Sequence, residues 1–411
     1  MTFRRYDSAK DKLACHRIYK EVGWISEESP ERTDLFFTQS GSSWVAELQG
    51  EAECLVLSAK GDLRYQDELL PFACITGVTT SRLGRRQGLA ARLTARAVAA
   101  EVEEGALVAG LGMFDQGFYD KLGFGTGAYD HSMTVAPDQL KVETRARIPR
   151  RLTEDDWEAI HAARLKRRRG HGAVTLFPAM FTRGRMMSWG RNHFGLGYAD
   201  DPEGGLSHLL WFSAEHVEHG PYRVKYLIYR TREQFLELMA LVKQLGDQVY
   251  SIDLPEPRDV QLQDLMPEPF KHRRVRDGGS HRTGIEAHCW WQMRICDLAA
   301  CLQRTHLCGE AVRFNLQLTD PIGKYLSEEQ AWRGIGREYV VTLGPNSHAE
   351  AGQNPSLPTM AATVNAFTRL WLGVRPATGL ATTDSLTAPE ELLERLDDLM
   401  RLPQPRPDWD M

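Results

Sequence analysis

Residues 81–93 read SRLGRRQGLAARL, and this stretch decides how the sequence is interpreted. The preceding residues 70–81, LPFACITGVTTS, are apolar and β-branched, which predicts a buried strand. Leu89 and Leu93 then stand at helical spacing, and Gly105 ends the predicted helix. The stretch is therefore predicted to be a turn that joins a strand to the N-terminus of a helix.

This turn has the features of an anion-binding site. A helix N-terminus presents unpaired backbone N–H groups and a partial positive charge, and glycines let the chain approach an anion closely. Arg85 and Arg86 add formal charge beside it. The pattern predicts a pocket for a pyrophosphate or a similar group, although arginine-rich helix starts also occur on solvated surfaces.

The composition is that of a folded, soluble protein. With 411 residues the chain is too long for one ordinary core, so we expect two or three domains. A net charge of -5 lacks the basic surplus of nucleic-acid binders, so no nucleic-acid partner is expected. The basic run at residues 165–172, LKRRRGHG, is interpreted as a solvated helix end.

The N-terminal residues 1–24 carry charges every few positions and lack the apolar region of a secretion signal. No window of the sequence is long and apolar enough to span a bilayer. We therefore expect a cytoplasmic protein without a membrane partner.

The seven cysteines include no CxxC pair, so free thiols are expected. Several cysteines and histidines lie close together in the sequence, namely His288, Cys289, Cys296, Cys301, His306 and Cys308. Their spacing matches none of the paired-ligand patterns of zinc sites. We expect buried thiols there and no metal site.

Three segments separate along the chain, predicted as domains at residues 1–146, 147–283 and 284–411. The predicted strands beyond the first segment are 206–213, 222–229, 249–253 and 289–295. The predicted helices start after the N-cap residues Thr231 and Asp297, and a further helix spans 389–400. No internal sequence repeat is detected.

Two motifs resemble hallmarks of the GNAT acetyltransferase superfamily. Residues 85–90, RRQGLA, resemble its R/Q-x-x-G-x-G/A acetyl-CoA signature, and residues 117–125, GFYDKLGFG, resemble its second hallmark. The resemblance implies a strand that pairs with the pantetheine arm and a loop whose amides bind the pyrophosphate. The implied coenzyme-binding residues are Val78, Thr80, Arg85, Arg86, Gly88, Leu89 and Ala90.

The resemblance also implies catalytic roles. Tyr119 matches the family tyrosine near the acetyl sulfur, which would donate a proton to the departing thiolate. Residues 72–81 contain no acidic side chain, so the general base must come from elsewhere or from water.

The plan of the whole chain is similar to that of the enhanced intracellular survival (Eis) family. This resemblance implies an α+β protein with an N-terminal catalytic GNAT domain, a degenerate second GNAT domain and a sterol carrier protein-like C-terminal domain. It implies a homohexamer, and a terminal carboxylate, here of Met411, as the general base. An ordinary α-carboxyl is a feeble base unless it is desolvated. A frayed terminus is the alternative, but Pro407 and Trp409 argue against it.

Family resemblance further implies a cationic small-molecule amine as acceptor, of the aminoglycoside or polyamine type. The predicted substrate-binding residues are Trp24, Glu28, Phe36 and Asp410, which combine aromatic and acidic groups. Two other functions stay open: a non-catalytic protein that binds acetyl-CoA or a lipid, and a protein lysine acetyltransferase.

Overall fold

The computed structural model describes residues 1–25, 29–188, 192–201, 204–268 and 284–411. These residues form three mixed β-sheets covered by helices, which confirms the predicted α+β class. Contacts divide the chain into two compact units. The first comprises residues 1–128, 170–178 and 289–411, and the second comprises residues 129–169 and 179–288.

The first sheet belongs to the first unit and has the order β1-β2-β3-β4-β5-β15-β6, with β9 paired to β3. Its strands, numbered in chain order, are β1 (Thr2–Arg5), β2 (Ser42–Leu48), β3 (Glu51–Tyr65), β4 (Glu68–Thr80), β5 (Val108–Gly112), β6 (Gly125–Thr126), β9 (Val174–Leu176) and β15 (Trp291–Ile295). Its helices are α1 (Ser8–Glu21), α2 (Pro30–Gln39), α3 (Leu89–Glu103) and α4 (Gln116–Asp120).

A second sheet in the same unit has the order β18-β17-β16-β19-β20. Its strands are β16 (Val312–Thr319), β17 (Arg337–Leu343), β18 (His348–Ala351), β19 (Thr359–Thr363) and β20 (Leu386–Thr387). The helices of this segment are α8 (Leu298–Gln303), α9 (Val364–Trp371), α10 (Ala377–Thr383) and α11 (Glu390–Leu399), with a 3₁₀ helix at Pro321–Tyr325.

The second unit contains one sheet, in the order β8-β10-β11-β12-β13-β7-β14. Its strands are β7 (Asp130–Val135), β8 (Arg150–Leu152), β10 (His193–Tyr198), β11 (His208–Ala214), β12 (Tyr222–Ile228), β13 (Ile252–Pro255) and β14 (Gly284–His288). Its helices are α5 (Trp157–Leu165), α6 (Ala179–Met187) and α7 (Arg232–Gln244), with 3₁₀ helices at Pro137–Gln139, Glu154–Asp156, Leu245–Asp247 and Leu262–Leu265.

The seven-stranded orders of these two units repeat each other. In each, the fourth and fifth strands are parallel, β4 with β5 and β12 with β13. In each, the sixth strand is antiparallel to both neighbours, β15 in the first unit and β7 in the second. The chain therefore contains a structural repeat, although no sequence repeat was detected.

Four strands depart from the predicted segments. β7 lies in the predicted first segment and β14 in the predicted third segment, but both join the sheet of the second unit. β9 lies in the predicted second segment and β15 in the predicted third segment, but both join the first sheet. The division into domains at 146/147 and 283/284 stays a prediction.

Most of the predicted elements are confirmed. β4 ends at Thr80, and α3 is followed by Gly105, whose φ of +101° is left-handed. Thr231 caps α7, and Asp297 caps α8. The strand predicted at 249–253 begins only at Ile252.

The basic run after α5 is only partly exposed to solvent, although the sequence predicted a solvated helix end. Arg168 is exposed, but Arg167 is 6% exposed and its Nη1 donates to the Arg164 carbonyl at 3.1 Å. The aliphatic stem of an arginine packs readily, so a run of basic letters does not imply that every side chain is solvated.

A buried ion pair joins β15 to the segment before the 3₁₀ helix at Pro321–Tyr325. Arg294 Nη2 lies 2.6 Å from Asp320 Oδ2, and the two side chains are 0% and 2% exposed. The Asp320 carboxylate also accepts from the backbone N–H groups of Ile322 and Ile335. Removing one charge of such a pair leaves the other buried and uncompensated.

We expect Asp320→Asn to lower the free energy of unfolding of the first unit by about 3–5 kcal/mol, because Arg294 keeps its buried charge. Thermal and urea unfolding measure the change. The control is Asp398→Asn, which breaks the ion pair between Asp398 and Arg401. These side chains are 74% and 77% exposed, so the control should change the free energy of unfolding little. Equal unfolding midpoints for the two variants would contradict this.

Candidate active site

The strands β4 and β5 diverge at their carboxyl ends. They pair in parallel only where Phe72–Cys74 of β4 meets Val108–Gly110 of β5. Beyond Cys74, β4 continues to Thr80 against β3 alone. In the described part of the chain, no strand covers the other edge of residues 75–80, so its backbone groups are open to an extended ligand.

A β-bulge lies in this open part of β4. The register shifts so that Leu57 opposes Thr76 and Leu55 opposes Thr79. Bulges re-aim a strand and are frequent beside functional sites. Thr80, which was predicted to bind the coenzyme, uses its hydroxyl to donate to Cys54 Sγ at 3.4 Å, so its backbone is the part left for a ligand.

The predicted anion-binding turn leads from β4 to α3. Arg85, Arg86 and Gly88 are exposed, and Arg86 and Gly88 have left-handed φ angles of +61° and +73°. Gly88 is the N-cap residue, and no side chain among the described residues caps this end of α3. The first N–H groups of the helix therefore remain available to an anion.

Two further predicted residues of the turn have different positions. Leu89 is 1% exposed and packs in the core with Leu93, so it reaches a ligand only through its backbone. Ala90 is half-buried on the first turn of α3.

The corresponding turn of the second unit is capped by its own side chains. Thr231 Oγ1 accepts from the N–H of Gln234 at 3.3 Å, and Gln234 Oε1 accepts from the N–H groups of Arg230 and Thr231 at 2.7 and 3.3 Å. This capping box occupies donors that a phosphate would need. Of the two equivalent turns, only that of the first unit is left uncapped.

Tyr119 lies on the short helix α4, which Asp115 caps by accepting from Gly117 N at 3.0 Å. Its side chain is 3% exposed, with the rings of Phe118 and Phe114 edge-on at 4.9 and 6.0 Å. Burial, with a smaller contribution from Asp115, raises the pKa of the Tyr119 hydroxyl well above its usual range. The hydroxyl therefore stays protonated and has no hydrogen-bond partner among the described residues.

The chain terminus is packed rather than frayed. The N–H of Val174 donates to the Pro407 carbonyl at 2.7 Å, and Arg406 N donates to the His171 carbonyl at 3.2 Å. Trp409 and Met411 are 3% and 5% exposed.

The main chain of Met411 lies against the end of β5. A β-carbon placed on Gly112, the last residue of β5, would lie 2.8 Å from an oxygen of Met411. Helix α4 with Tyr119 begins four residues after Gly112. Met411 therefore contacts the end of β5, and Tyr119 follows that end by seven residues in the sequence.

The predicted substrate-binding residues are only partly placed. Trp24 is 52% exposed, with its ring edge-on to Tyr19 at 5.2 Å, and Phe36 packs at 6.2 Å from Phe37. Asp410 is half-buried next to Met411. Glu28 lies outside the described residues.

Three polar residues around Tyr119 were not singled out from the sequence. Gln292 Nε2 donates to Asp120 Oδ1 at 2.7 Å, and Arg294 Nη1 donates to the Leu122 carbonyl at 2.5 Å. Asn365 Nδ2 donates to two carbonyls of the same turn. A signal existed for Gln292 and Arg294, because polar residues inside a strand as apolar as WWQMRI need buried partners.

The cysteine-rich segment shows mixed burial. Cys296 and Cys301 are buried as expected, Cys289 is half-buried, and Cys308 is exposed, contrary to expectation. In the portion of the chain that the structure describes, no group of three or more His, Cys, Asp or Glu side chains could bind a metal ion. No described helix combines the length and apolar character needed to cross a membrane.

Comparison with known families finds one match, in the N-terminal part of the chain. A family model described as an acetyltransferase (GNAT) domain matches residues 18–127. No curated protein matches the sequence.

Several solved structures are similar over the whole chain. A probable N-acyltransferase from Enterococcus faecalis V583 has 15% identity and a TM-score of 0.77, covering 100% of this chain and 99% of that one. A GCN5-related N-acetyltransferase from Anabaena variabilis ATCC 29413 has 13% identity and a TM-score of 0.74, and Eis1 from Mycobacterium abscessus has 16% and 0.72, both covering 100% of each chain. These likenesses confirm the predicted fold.

We expect Gly112→Ala to dislodge the terminal carboxylate, because the added methyl group would overlap one of its oxygens. Carboxypeptidase should then release Met411 faster from the variant than from the unchanged chain. Gly117→Ala is the control, since its β-carbon would meet only Asp115 Oδ1, at 3.7 Å. Equal release from all three proteins would show that Gly112 does not hold the terminus.

Proposed function

We propose that this chain, whose residues 18–127 match the GNAT acetyltransferase domain model, transfers the acetyl group of acetyl-CoA to an amine of a cationic small molecule. The observation that carries this proposal is that three features of the first unit follow or contact the ends of β4 and β5. These are the uncapped N-terminus of α3, the protonated hydroxyl of Tyr119 and the carboxylate of Met411.

The first unit offers a fitting place for acetyl-CoA. The N–H groups at the start of α3, with Arg85 and Arg86 beside them, suit the pyrophosphate. The open edge of β4 from Val78 to Thr80 suits the amide groups of the pantetheine arm. Acetyl-CoA supplies an acyl group activated as a thioester.

The protein's own groups would move the protons. The Met411 carboxylate accepts, directly or through water, the proton that the amine loses as its nitrogen bonds to the carbonyl carbon. Tyr119 donates its hydroxyl proton to the thiolate as the carbon–sulfur bond breaks, and solvent returns that proton to the tyrosinate. Because burial raises the pKa of Tyr119, the hydroxyl keeps its proton through neutral and mildly alkaline pH.

The proposed acceptor is a multi-amine such as an aminoglycoside or a polyamine. Asp410 would bring a second negative charge next to the terminal carboxylate, and Trp24, Glu28 and Phe36 are the other proposed contacts. Asp34 is less suited, because it already accepts from Tyr6 and Ser8 at 2.5 and 2.8 Å. A degenerate second GNAT domain, a homohexamer and a cytoplasmic location complete the proposal, and the capped turn before α7 supports the first of these.

The decisive experiment measures coenzyme A release from acetyl-CoA by the full chain with aminoglycosides, polyamines and lysine peptides as acceptors. Turnover on the first two classes supports the proposal. Turnover on lysine peptides alone would identify a protein acetyltransferase. Acetyl-CoA binding without turnover on any amine would make the chain a binding protein.

We expect Tyr119→Phe to lower kcat by about 100-fold, because the leaving thiolate loses its proton donor. The KM for acetyl-CoA should change little, since the ring remains. Tyr325→Phe, which alters another tyrosine packed on the same core, is the control and should keep its activity. An unchanged kcat in Tyr119→Phe would exclude this residue as the general acid.

We expect a one-residue extension with glycine after Met411 to lower kcat at least tenfold, since it moves the carboxylate away from Gly112. Met411→Ala keeps the carboxylate and changes only the side chain, so it is the matched control and should retain most of the activity. Equal activity of the extended and unextended chains would remove the terminus from the mechanism.

A further inference from the structure

The residues that follow Tyr119 form a tight turn, residues 119–125, which we call the acid loop. Within it, the Tyr119 carbonyl accepts from the N–H groups of Leu122 and Phe124 at 2.9 and 3.3 Å. The backbone that carries the Tyr119 side chain is therefore part of the hydrogen bonding of the loop.

One side chain from a distant part of the sequence spans this loop. Asn365 Nδ2 donates to the carbonyls of Asp120 and Phe124, each at 2.9 Å. Asp120 directly follows Tyr119, and Phe124 lies near the other end of the loop. A single amide thus fixes the distance between the two ends.

The loop and α9 fit together without free space. A β-carbon on Gly125 would lie 2.4 Å from the backbone oxygen of Asn365. Helix α9, which carries Asn365, is itself held, because Thr368 Oγ1 accepts from the N–H of Ile295 at 3.0 Å and Arg369 pairs with Asp384 at 2.7 Å. Asn365 therefore lies on a helix whose position is fixed by contacts outside the acid loop.

The position of the Tyr119 hydroxyl depends on how Asn365 and α9 hold the acid loop. Among the described residues the hydroxyl has no hydrogen-bond partner, so ring packing and the loop backbone alone orient it. A displacement of about 1 Å in a reacting group lowers rates by up to about 100-fold.

We propose that Asn365 is a positioning residue, which holds the acid loop so that the Tyr119 hydroxyl reaches the departing sulfur. This inference rests on the proposed function, in which Tyr119 donates that proton. Asn365 is neutral and half-buried, so its removal leaves no buried charge, unlike removal of Asp320 beside Arg294.

The chain offers a matched control in Asn315 on β16. Its Nδ2 also donates to two carbonyls, those of Asn354 and Leu357, at 2.9 and 3.1 Å, and the residue is 4% exposed. Asn315→Ala therefore removes bonds of the same kind, and also the bond that Asn315 Oδ1 accepts from the N–H of Asn354 at 2.8 Å, without touching the acid loop.

The test is a double-mutant cycle on coenzyme A release with Asn365→Ala and Tyr119→Phe. We expect Asn365→Ala alone to lower kcat about tenfold or more, with the KM for acetyl-CoA within about twofold. In the Tyr119→Phe background the same change should alter kcat less than twofold, because no proton donor remains to be positioned. Asn315→Ala should keep kcat, and Asn365→Asp, which keeps the shape but loses the donors, should resemble Asn365→Ala.

Other outcomes overturn the inference. Independent effects of the two changes would show that Asn365 does not act through Tyr119, and an equal loss in Asn315→Ala would show a general effect on stability. A wild-type chain without turnover refutes the proposed function instead, and the loop is then tested by hydrogen–deuterium exchange of residues 117–126. Faster exchange in Asn365→Ala than in Asn315→Ala supports the hold on the loop, and equal exchange refutes it.

Discussion

The candidate active-site region depends on the hydrogen bonding of β15 between β5 and β6. Residues Trp291–Ile295 pair antiparallel with Val108–Gly112 on one side, and Gln292 and Met293 pair with Thr126 and Gly125 on the other. This pairing places residues 289–411 in the same compact unit as residues 1–128. The contacts of Asn365 and Arg294 with the acid loop, and of the terminal carboxylate with Gly112, belong to that unit.

The same kind of strand pairing occurs in the sheet of the second unit. Each unit has parallel fourth and fifth strands that separate and a sixth strand from elsewhere in the sequence. The turns after the fourth strands differ, since α3 begins at an uncapped glycine and α7 at a capping box. At these turns, the two sheets therefore differ in a few side chains at one helix end rather than in their strand order.

Local features of the fold were predictable from sequence, and non-local ones were not. The strand and helix around residues 81–93 and the caps Thr231 and Asp297 follow from composition and spacing. Sheet membership of β7 and β15 did not follow, because the sequences DHSMTV and WQMRI mix polar and apolar residues and carry no feature that selects one sheet over the other. The hydrogen-bond partners of Asn365 could not be predicted either, since an asparagine at the start of a helix usually bonds to nearby backbone groups. Gln292 and Arg294 indicated that the strand has buried polar partners, but the sequence did not identify those partners.

The insertion of β15 also sets an order of events during synthesis. About 180 residues separate β5 from β15, so at 5–20 residues per second the ribosome needs roughly 10–40 s to supply the missing strand. Until then β5 and β6 present unpaired edges, which are templates for wrong pairing. During that interval the N-terminal portion lacks β15. A chaperone that covers the edges of β5 and β6 would prevent wrong pairing at this stage.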